Sequence, residues 1–580
     1  MLCRDSGAGL GFPDKVGPPW VKIGALGRRA WSLAPRAGAC RGKATVAIWR
    51  VGALRVRIGR ERMMAGLLSI GDRAIFAQPH AYMSSLSTPR DLDRANAGLL
   101  PVLGLFTTTM LILGGVIGSG IFRKPGLMAA QVGSPGILLG VWVLAGLITL
   151  MGALTNAETA AMIPATGGQF LFFERMYGRF FAFLYGWAIF AVIQTGSIAA
   201  VAYVFSEYST QLIVLPAFSE QTARIAFHVP FIGEITPLKD FGVKSLAAAL
   251  IIILTFVNYF GVKFGGLVQN VFTVAKIVGM LLLALGAFML PAVDGVAHLT
   301  MPSATIRPEG LALMAAIAAA MQGAFWAYDG WNRITFVAGE VKNPQRNLPR
   351  SLLIGMSVAM VIYVTMNLAY AWVLPVDAMA GSKLVAADVA EKIFAGGGRW
   401  IAAVVMISTF GAANAIILAS ARVYFSMARR QVFPAALGRA HPRFHTPAAA
   451  LVVQGIWSLG LLFSGTFDTL TDTLIFVSWI FYGASAYGVM VLRRKEPNTP
   501  RPYRVPGYPW LPWSFVIASA IFLLMTIYND VNAYRVATAA GQPAILNFAF
   551  GLALVLLGTP IYFFYRSRRV EAAAADLAPR

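Results

Sequence analysis

The sequence predicts an all-α polytopic membrane protein with about twelve transmembrane helices, and three observations predict it. Of the 580 residues, 57% are hydrophobic and only 13% charged, with a mean hydropathy of +0.66, whereas soluble chains carry roughly a quarter charged residues. Apolar runs recur from Leu103 to Phe564, most of them close to the ~20 residues of a bilayer-spanning helix. Two runs, the first and the sixth, are interrupted by glycine and polar residues. These are matching positions if the first ten helices form a 5+5 inverted repeat with two more helices after it. The short alternating segments of a spanning β-barrel do not occur.

The spans fall at about 101–125, 135–160, 181–205, 245–261, 267–291, 311–338, 351–374, 400–427, 447–465, 470–492, 509–528 and 545–565. Lys and Arg in the connecting loops set their orientation. The loop after span 8 holds Arg429, Arg430, Arg439 and Arg443. The loop after span 10 holds Arg493, Arg494, Lys495, Arg501 and Arg504 against Glu496, and the tail holds Arg566, Arg568 and Arg569. The loop after span 9 carries Asp468 and Asp472 with no basic residue. Even-numbered spans therefore exit to the cytoplasm, and both termini are expected inside. The same distribution accounts for the net charge of +23: it reflects topology in a lipid bilayer, and no nucleic-acid partner is expected.

Residues 1–98 form a basic extension, rich in Arg, Gly and Ala and poor in acids, with no sustained helical period. It lacks a signal-peptide pattern. An organellar transit peptide is one reading; the preferred one is a mis-assigned start, with Met83 opening a short tail before span 1. The expected organisation is a core over 99–528 with spans 1–11, span 12 and its basic end over 529–569, and a cytoplasmic tail over 570–580. Both cysteines, Cys3 and Cys40, lie in the extension, which excludes a disulfide framework and a Cys-based metal site. No metal and no cofactor are expected.

Span 1 contains Gly114-Gly115-Val116-Ile117-Gly118-Ser119-Gly120-Ile121-Phe122. Four glycines within seven residues are costly to a helix. Close helix packing would call for small residues every fourth position, whereas here they crowd one turn. Irregular backbone at this depth survives where it lines a cavity, so a broken helix is expected. Span 6 repeats the theme in Phe325-Trp326-Ala327-Tyr328-Asp329-Gly330-Trp331-Asn332. Paired interruptions of this kind point to a midplane binding site.

A helix restarting after Gly120 presents free N–H groups and a positive dipole end, which suits a carboxylate. Unwound carbonyls around Val116, Ile117 and Phe325 suit an ammonium. A zwitterion satisfies both. Trp326 and Tyr328 could cover its side chain or simply pack.

These residues carry a resemblance. The Gly-Val-Ile-Gly-Ser-Gly-Ile-Phe stretch resembles the amino acid–polyamine–organocation superfamily, in particular its L-type amino acid transporter branch, here in a prokaryotic, stand-alone form. So do Ala327 to Asn332, the stretch Asn343-Pro344-Gln345-Arg346-Asn347-Leu348-Pro349, Gly152-Ala153-Leu154 running to Glu158, Pro164 and Gly167-Gly168, and Arg501 to Pro509. Together they cover about Leu103 to Tyr528 in order, and the combination is specific where each motif alone is weak.

The resemblance implies a leucine-transporter-like core and alternating access around a fixed site. By the same likeness the substrate-binding residues are Val116, Ile117, Gly118, Ser119, Gly120, Ile121, Phe325, Trp326, Ala327, Tyr328 and Asp329. Backbone near Ser119 and Gly120 takes the carboxylate, and carbonyls near Ile117 and Phe325 take the amine. Trp326 stands where the family often has a gating Phe, which changes the pocket size. Asp329 stands where some members have Gly and can pair with a cationic substrate or with Arg333. Lys276 is an intramembrane charge, expensive and usually functional; the resemblance places it where sodium-coupled relatives hold an ion, tying span 1 to span 8. Glu158 belongs to a cytoplasmic gate or to a structural pair. Animal L-type subunits join a glycoprotein through a Cys in the loop after span 3, and this chain has no Cys between Ser206 and Lys244. A disulfide-linked heavy chain is therefore not expected.

The expected function is secondary active transport of amino acids across the cell (inner) membrane, as a sodium-independent exchanger or proton symporter. The alternative is a polyamine or cationic amine carrier, which would leave the Ser119–Gly120 amides unpaired. A nutrient sensor would need an output domain, and the tail after Phe564 is short. An enzyme is not expected: His441 and His445, the closest histidine pair, have no nearby carboxylate or Cys, and no phosphate loop is present.

Overall fold

In hydrocarbon a chain must satisfy its own backbone N–H and C=O groups, and each apolar run accordingly closes into helix. The computed structural model describes residues 99–577 apart from 224, 226, 230–232, 236, 291–293, 465–466 and 541–545. The basic extension 1–98, with its two cysteines and Met83, lies outside the described residues.

Span 1 is split into 1a (Leu105–Val116) and 1b (Gly120–Val132). Spans 2 to 5 are Pro135–Met162, Arg179–Ser209, Phe241–Tyr259 and Val262–Phe288. Span 6 is 6a (Gly310–Tyr328) followed by 6b (Trp331–Glu340). Spans 7 to 11 are Pro344–Val373, Gly397–Arg429, Ala448–Ser464, Phe467–Lys495 and Trp510–Ala539, and span 12 runs from Asn547 to Leu556 and on through Gly558–Leu577. Among the described residues, eleven helices are long and apolar enough to cross a membrane, and span 9 is a shorter apolar helix. A small hairpin, β1 (Phe227–Val229) with β2 (Gly233–Ile235), sits in the loop between spans 3 and 4.

Local chemistry sets several ends. Gly133 closes 1b in a left-handed conformation at φ 58°, and Ser134 then caps span 2 with Pro135 in its first turn. Asn343, also left-handed, precedes Pro344 at the start of span 7. Span 6 is broken at Asp329–Gly330, where its polar interruption predicts a break, and its second piece is a 3₁₀ helix. Two elements depart from the sequence expectation. Span 5 begins earlier than 267, because Val262 to Gly266 are helical too. Span 3 extends to both sides of 181–205 and contains a π turn at Ile189–Ile193, a register change that hydropathy does not report.

Packing follows the repeat. Span 1a lies on span 7 and 6a on span 2; span 5 lies on span 8 and span 10 on span 3; spans 2 and 7, and 3 and 8, meet each other. Each pair is matched by the pair five spans along, as two interlocked five-helix units require. Spans 1, 3 and 8 are mostly covered, whereas spans 4, 5, 11 and 12 expose more apolar side chains, such as Phe256, Leu282, Leu524 and Leu556. That face matches a lipid solvent.

Ion pairs tie both ends. On the face bearing the Arg-rich loops, Arg422 of span 8 makes a two-pronged contact with Glu340 at the end of 6b (2.8 and 3.2 Å), both fully buried. There also Glu158 of span 2 accepts from Arg493 Nε and Nη2 (2.9 and 2.6 Å) and from the Val505 amide (2.8 Å), with Arg501 3.3 Å away. On the opposite face Arg123 of 1b donates to Glu207 of span 3 at 2.9 Å.

Candidate functional site

The two breaks meet at the centre of the bundle. Span 1a stops at Val116 because Ile117 leaves the helical region (φ −74°, ψ 84°), and the helix restarts with Gly120. Span 6a stops at Tyr328: Asp329 is extended and Gly330 takes φ 107°, a conformation that glycine adopts without strain. Gly120 allows the two breaks to touch. A β-carbon there would lie 2.5 Å from Ala327 Cα.

Between the breaks lies a cavity of about 20 Å³, lined by Gly115, Val116, Gly118, Ser119, Gly120, Val201, Trp326, Asp329, Arg333, Ala412 and Ile416. That is room for about one water. The Ser119 hydroxyl is buried without a hydrogen-bond partner, and the amides of Ser119 and Gly120 meet no backbone acceptor among the described residues. A cluster of unspent donors at a helix N-terminus is an anion site in waiting.

Of the expected substrate residues, the structure brings Val116, Gly118, Ser119, Gly120, Trp326 and Asp329 to the cavity wall. Ile117, Ile121, Phe325, Ala327 and Tyr328 are buried around it without lining it. The Ile117 carbonyl is already taken: it accepts from Lys276 Nζ and from Ser408 Oγ (3.2 Å). The Phe325 ring lies tilted against Trp479, at 3.8 Å between centroids and 37° between planes, and meets Phe522, pointing toward span 11. Tyr328 turns to span 2, where its hydroxyl donates to the Trp142 carbonyl at 3.1 Å. The 3.6-residue turn puts Tyr328 nearly opposite Trp326, so one helix cannot aim both at the same ligand.

Lys276 is fully buried in span 5. Its ammonium donates to the carbonyls of Gly114 (2.9 Å) and Ile117 and lies 3.5 Å from that of Ser408. It thereby satisfies carbonyls that the break in span 1 would otherwise strand. Tyr363 of span 7 bridges the breaks in the same way, reaching the Val116 carbonyl at 2.8 Å and that of Ala327 at 2.9 Å. Glu158 lies away from the cavity, within the Arg493–Arg501 cluster.

From the wall extends a polar network of which the sequence revealed only the Asp329–Arg333 pair. Arg333 donates Nε to Gln194 Oε1 (2.8 Å), Nη1 to the Gly115 carbonyl (3.0 Å) and Nη2 to Asp329 Oδ2 (2.5 Å). Tyr482 of span 10 donates to Asp329 Oδ1 at 2.6 Å. Asn332 and Tyr185 both donate to Gln169 Oε1, at 2.6 and 2.7 Å. Gln194 stands where the π turn of span 3 ends, and such turns often mark functional positions. The displaced carbonyls of Ile189 and Ala191 are met by Tyr424 and Trp457. One readable signal did exist: Gln194, Arg333 and Asn332 are polar residues at membrane depth, each of which must find a partner.

A family profile described as amino acid permease matches residues 103–555. The chain is 30% identical to the mouse (Mus musculus) large neutral amino acids transporter small subunit 2 over 464 residues, 80% of each chain. It is 29% identical to the serine/threonine exchanger SteT of Bacillus subtilis, over 82% of this chain and 99% of that one. It is 31% identical to the human b(0,+)-type amino acid transporter 1, over 70% and 78%. The breaks, the cavity between them and this match over most of the chain together place the protein in the amino acid permease family, whose members are membrane transporters and not enzymes.

Proposed function

We propose that the protein is a sodium-independent amino acid permease, an exchanger or proton symporter that works by alternating access. The observation that carries this reading is the pairing of two broken helices around unspent backbone donors. The Ser119 and Gly120 amides, with the Ser119 hydroxyl, suit the substrate carboxylate. Val116 lines the cavity, and its carbonyl has a second lone pair beyond its bond from Tyr363, which suits the ammonium. The position of Trp326 in the cavity wall supports a role in covering the side chain. A cavity of about 20 Å³ holds an amino acid only when its walls move apart, which is what a substrate-driven cycle between two open states demands.

Sodium independence rests on Lys276: an ammonium bonded to carbonyls of span 1 and close to one of span 8 leaves no place for a metal cation among the same oxygens. The Arg-rich loops after spans 8 and 10 support an inner-membrane orientation with both termini in the cytoplasm. The absence of Cys from 206–244 supports a transporter without a disulfide-linked heavy chain.

The test is uptake of a labelled amino acid panel by proteoliposomes in sodium and in potassium buffer. Vesicles would be empty, preloaded with unlabelled amino acid, or held under an inward proton gradient. Uptake that needs preloading defines an exchanger, and uptake driven by the gradient defines a symporter. Uptake that disappears when potassium replaces sodium sinks the role given to Lys276. No uptake of any amino acid by folded protein sinks the zwitterion site.

A further inference from the structure

We infer that Arg333 is a specificity-determining residue: by occupying Asp329 it makes the site select amino acids with uncharged side chains and exclude those with cationic ones. The inference rests on the amino acid site proposed above. Among the described residues, Asp329 and Arg333 are the only charged ones in the wall of the cavity. Both are within the membrane and nearly inaccessible, at 4% and 6% exposure. A lone carboxylate at this depth would be costly and would attract any cation able to enter. Here neither oxygen is left over: Oδ2 meets Arg333 Nη2 and Oδ1 meets the Tyr482 hydroxyl.

The arginine is equally engaged. Its three bonds reach Gln194 of span 3, Gly115 of span 1 and Asp329 of span 6, so the guanidinium is locked on three elements rather than free to swing aside. The backbone is shaped for this pair. With Gly330 at φ 107°, a β-carbon there would lie 2.0 Å from Arg333 Nη1 and 3.0 Å from the Gly115 carbonyl. A substrate ammonium at Asp329 would have to displace a guanidinium that already holds the better geometry, and would leave that guanidinium buried without a counter-charge.

The experiment compares proteoliposomes of the full chain and of R333Q, D329N and the double variant D329N/R333Q. Each is assayed with labelled L-serine, L-leucine, L-lysine and L-glutamate after exchange loading, and each is checked for folding by its gel-filtration profile and thermal midpoint. The full chain takes up a neutral amino acid and not lysine. In R333Q the ratio of lysine to neutral uptake rises at least about tenfold, one charge-assisted hydrogen bond's worth. D329N leaves the guanidinium uncompensated and moves the preference toward glutamate. The double variant, again neutral overall, carries neutral amino acids at a reduced rate, since the Gly115 carbonyl loses its bond from Arg333, and gains neither lysine nor glutamate. Should both single variants be inactive while the double variant carries neutral amino acids alone, the requirement for charge balance is supported by that route. R333Q that transports neutral amino acids without admitting lysine overturns the inference, as does lysine uptake by the full chain. Inactivity of all three folded variants also overturns it, since the pair would then serve structure only. A full chain that carries no amino acid at all fails the preceding reading instead, at the first step of the assay.

Discussion

Replacing Gly120 by alanine tests the geometry of the two breaks. The added β-carbon would sit 2.5 Å from Ala327 Cα, 2.6 Å from its Cβ and 3.0 Å from its backbone nitrogen. None of these atoms is the far end of a flexible side chain. Carbon atoms rest at about 3.5–4.0 Å, so spans 1b and 6a would have to part by about 1 Å. Overpacking of this kind costs about 1–3 kcal/mol. The displacement falls on the residue whose amide is proposed to hold the substrate carboxylate. One charge-assisted bond is worth about 1.5–3 kcal/mol, so the apparent KM for uptake rises about tenfold or more. The assay is concentration-dependent exchange in proteoliposomes, with the thermal midpoint in detergent measured alongside. Gly140→Ala in span 2 is the control, since its β-carbon meets nothing within 4 Å; it leaves KM unchanged. If Gly120→Ala keeps both the KM and the thermal midpoint of the unmodified chain, the close approach of 1b to 6a does not exist in the functional protein.

Lys276→Met leaves the buried Gly114 carbonyl without its donor, at about 1–3 kcal/mol, and the Ile117 carbonyl with Ser408 alone; uptake should fall below about a tenth and sodium should not restore it, whereas sodium-dependent rescue would show that the cavity accepts a metal ion. Arg422→Met strands Glu340, whose exposure is 0%, at a cost of about 3–5 kcal/mol. Its thermal midpoint should drop further than that of Arg493→Gln, because the Arg493 side chain is 21% exposed and is screened by water; the opposite order would refute the assignment of the Glu340 pair as the deeper tie. Glu158→Gln loosens Arg493, Arg501 and the Val505 amide together, so trypsin should cut the 496–509 segment faster. The cut should occur in inside-out vesicles and not in right-side-out ones, and the reverse pattern would invert the proposed topology.

The legible part of this molecule is the part written in local chemistry. Glycines at 114, 115, 118 and 120, and the Asp329–Gly330 pair, are expensive in an apolar helix. They announce the breaks without any knowledge of neighbours. The start of span 2 at Pro135 follows from the same kind of local chemistry, since Gly133 ends one helix and Ser134 and Pro135 start the next. What escaped depends on which faces meet. Arg333 was legible as a partner for Asp329 because the spacing is four residues. Its bonds to Gln194 and Gly115 cross 139 and 218 positions of sequence, and no periodicity reports those. The same holds for Tyr482, Tyr363 and Ser408. Tyr328 shows the limit from the other side: chemically suited to a ligand, it is rotated away by its place on the turn. In helices buried all round, an apolar stripe no longer marks the inner face, so direction is lost even where depth is known.

The site divides its work between backbone and side chain, and the division follows from the solvent. At membrane depth a charged side chain is costly and needs a partner, whereas a broken helix supplies oriented dipoles with no net charge. The invariant part of any amino acid, its carboxylate and ammonium, can therefore be met by amides and carbonyls of the two breaks without placing an ion there. The ions that are present hold that backbone open: Lys276 satisfies the carbonyls that the break in span 1 strands, and Arg333 fastens Gly115 to the break in span 6. Removing either charge should thus disturb recognition of the common zwitterion. Only the Arg333–Asp329 pair, which faces the cavity, should also change which side chain is accepted.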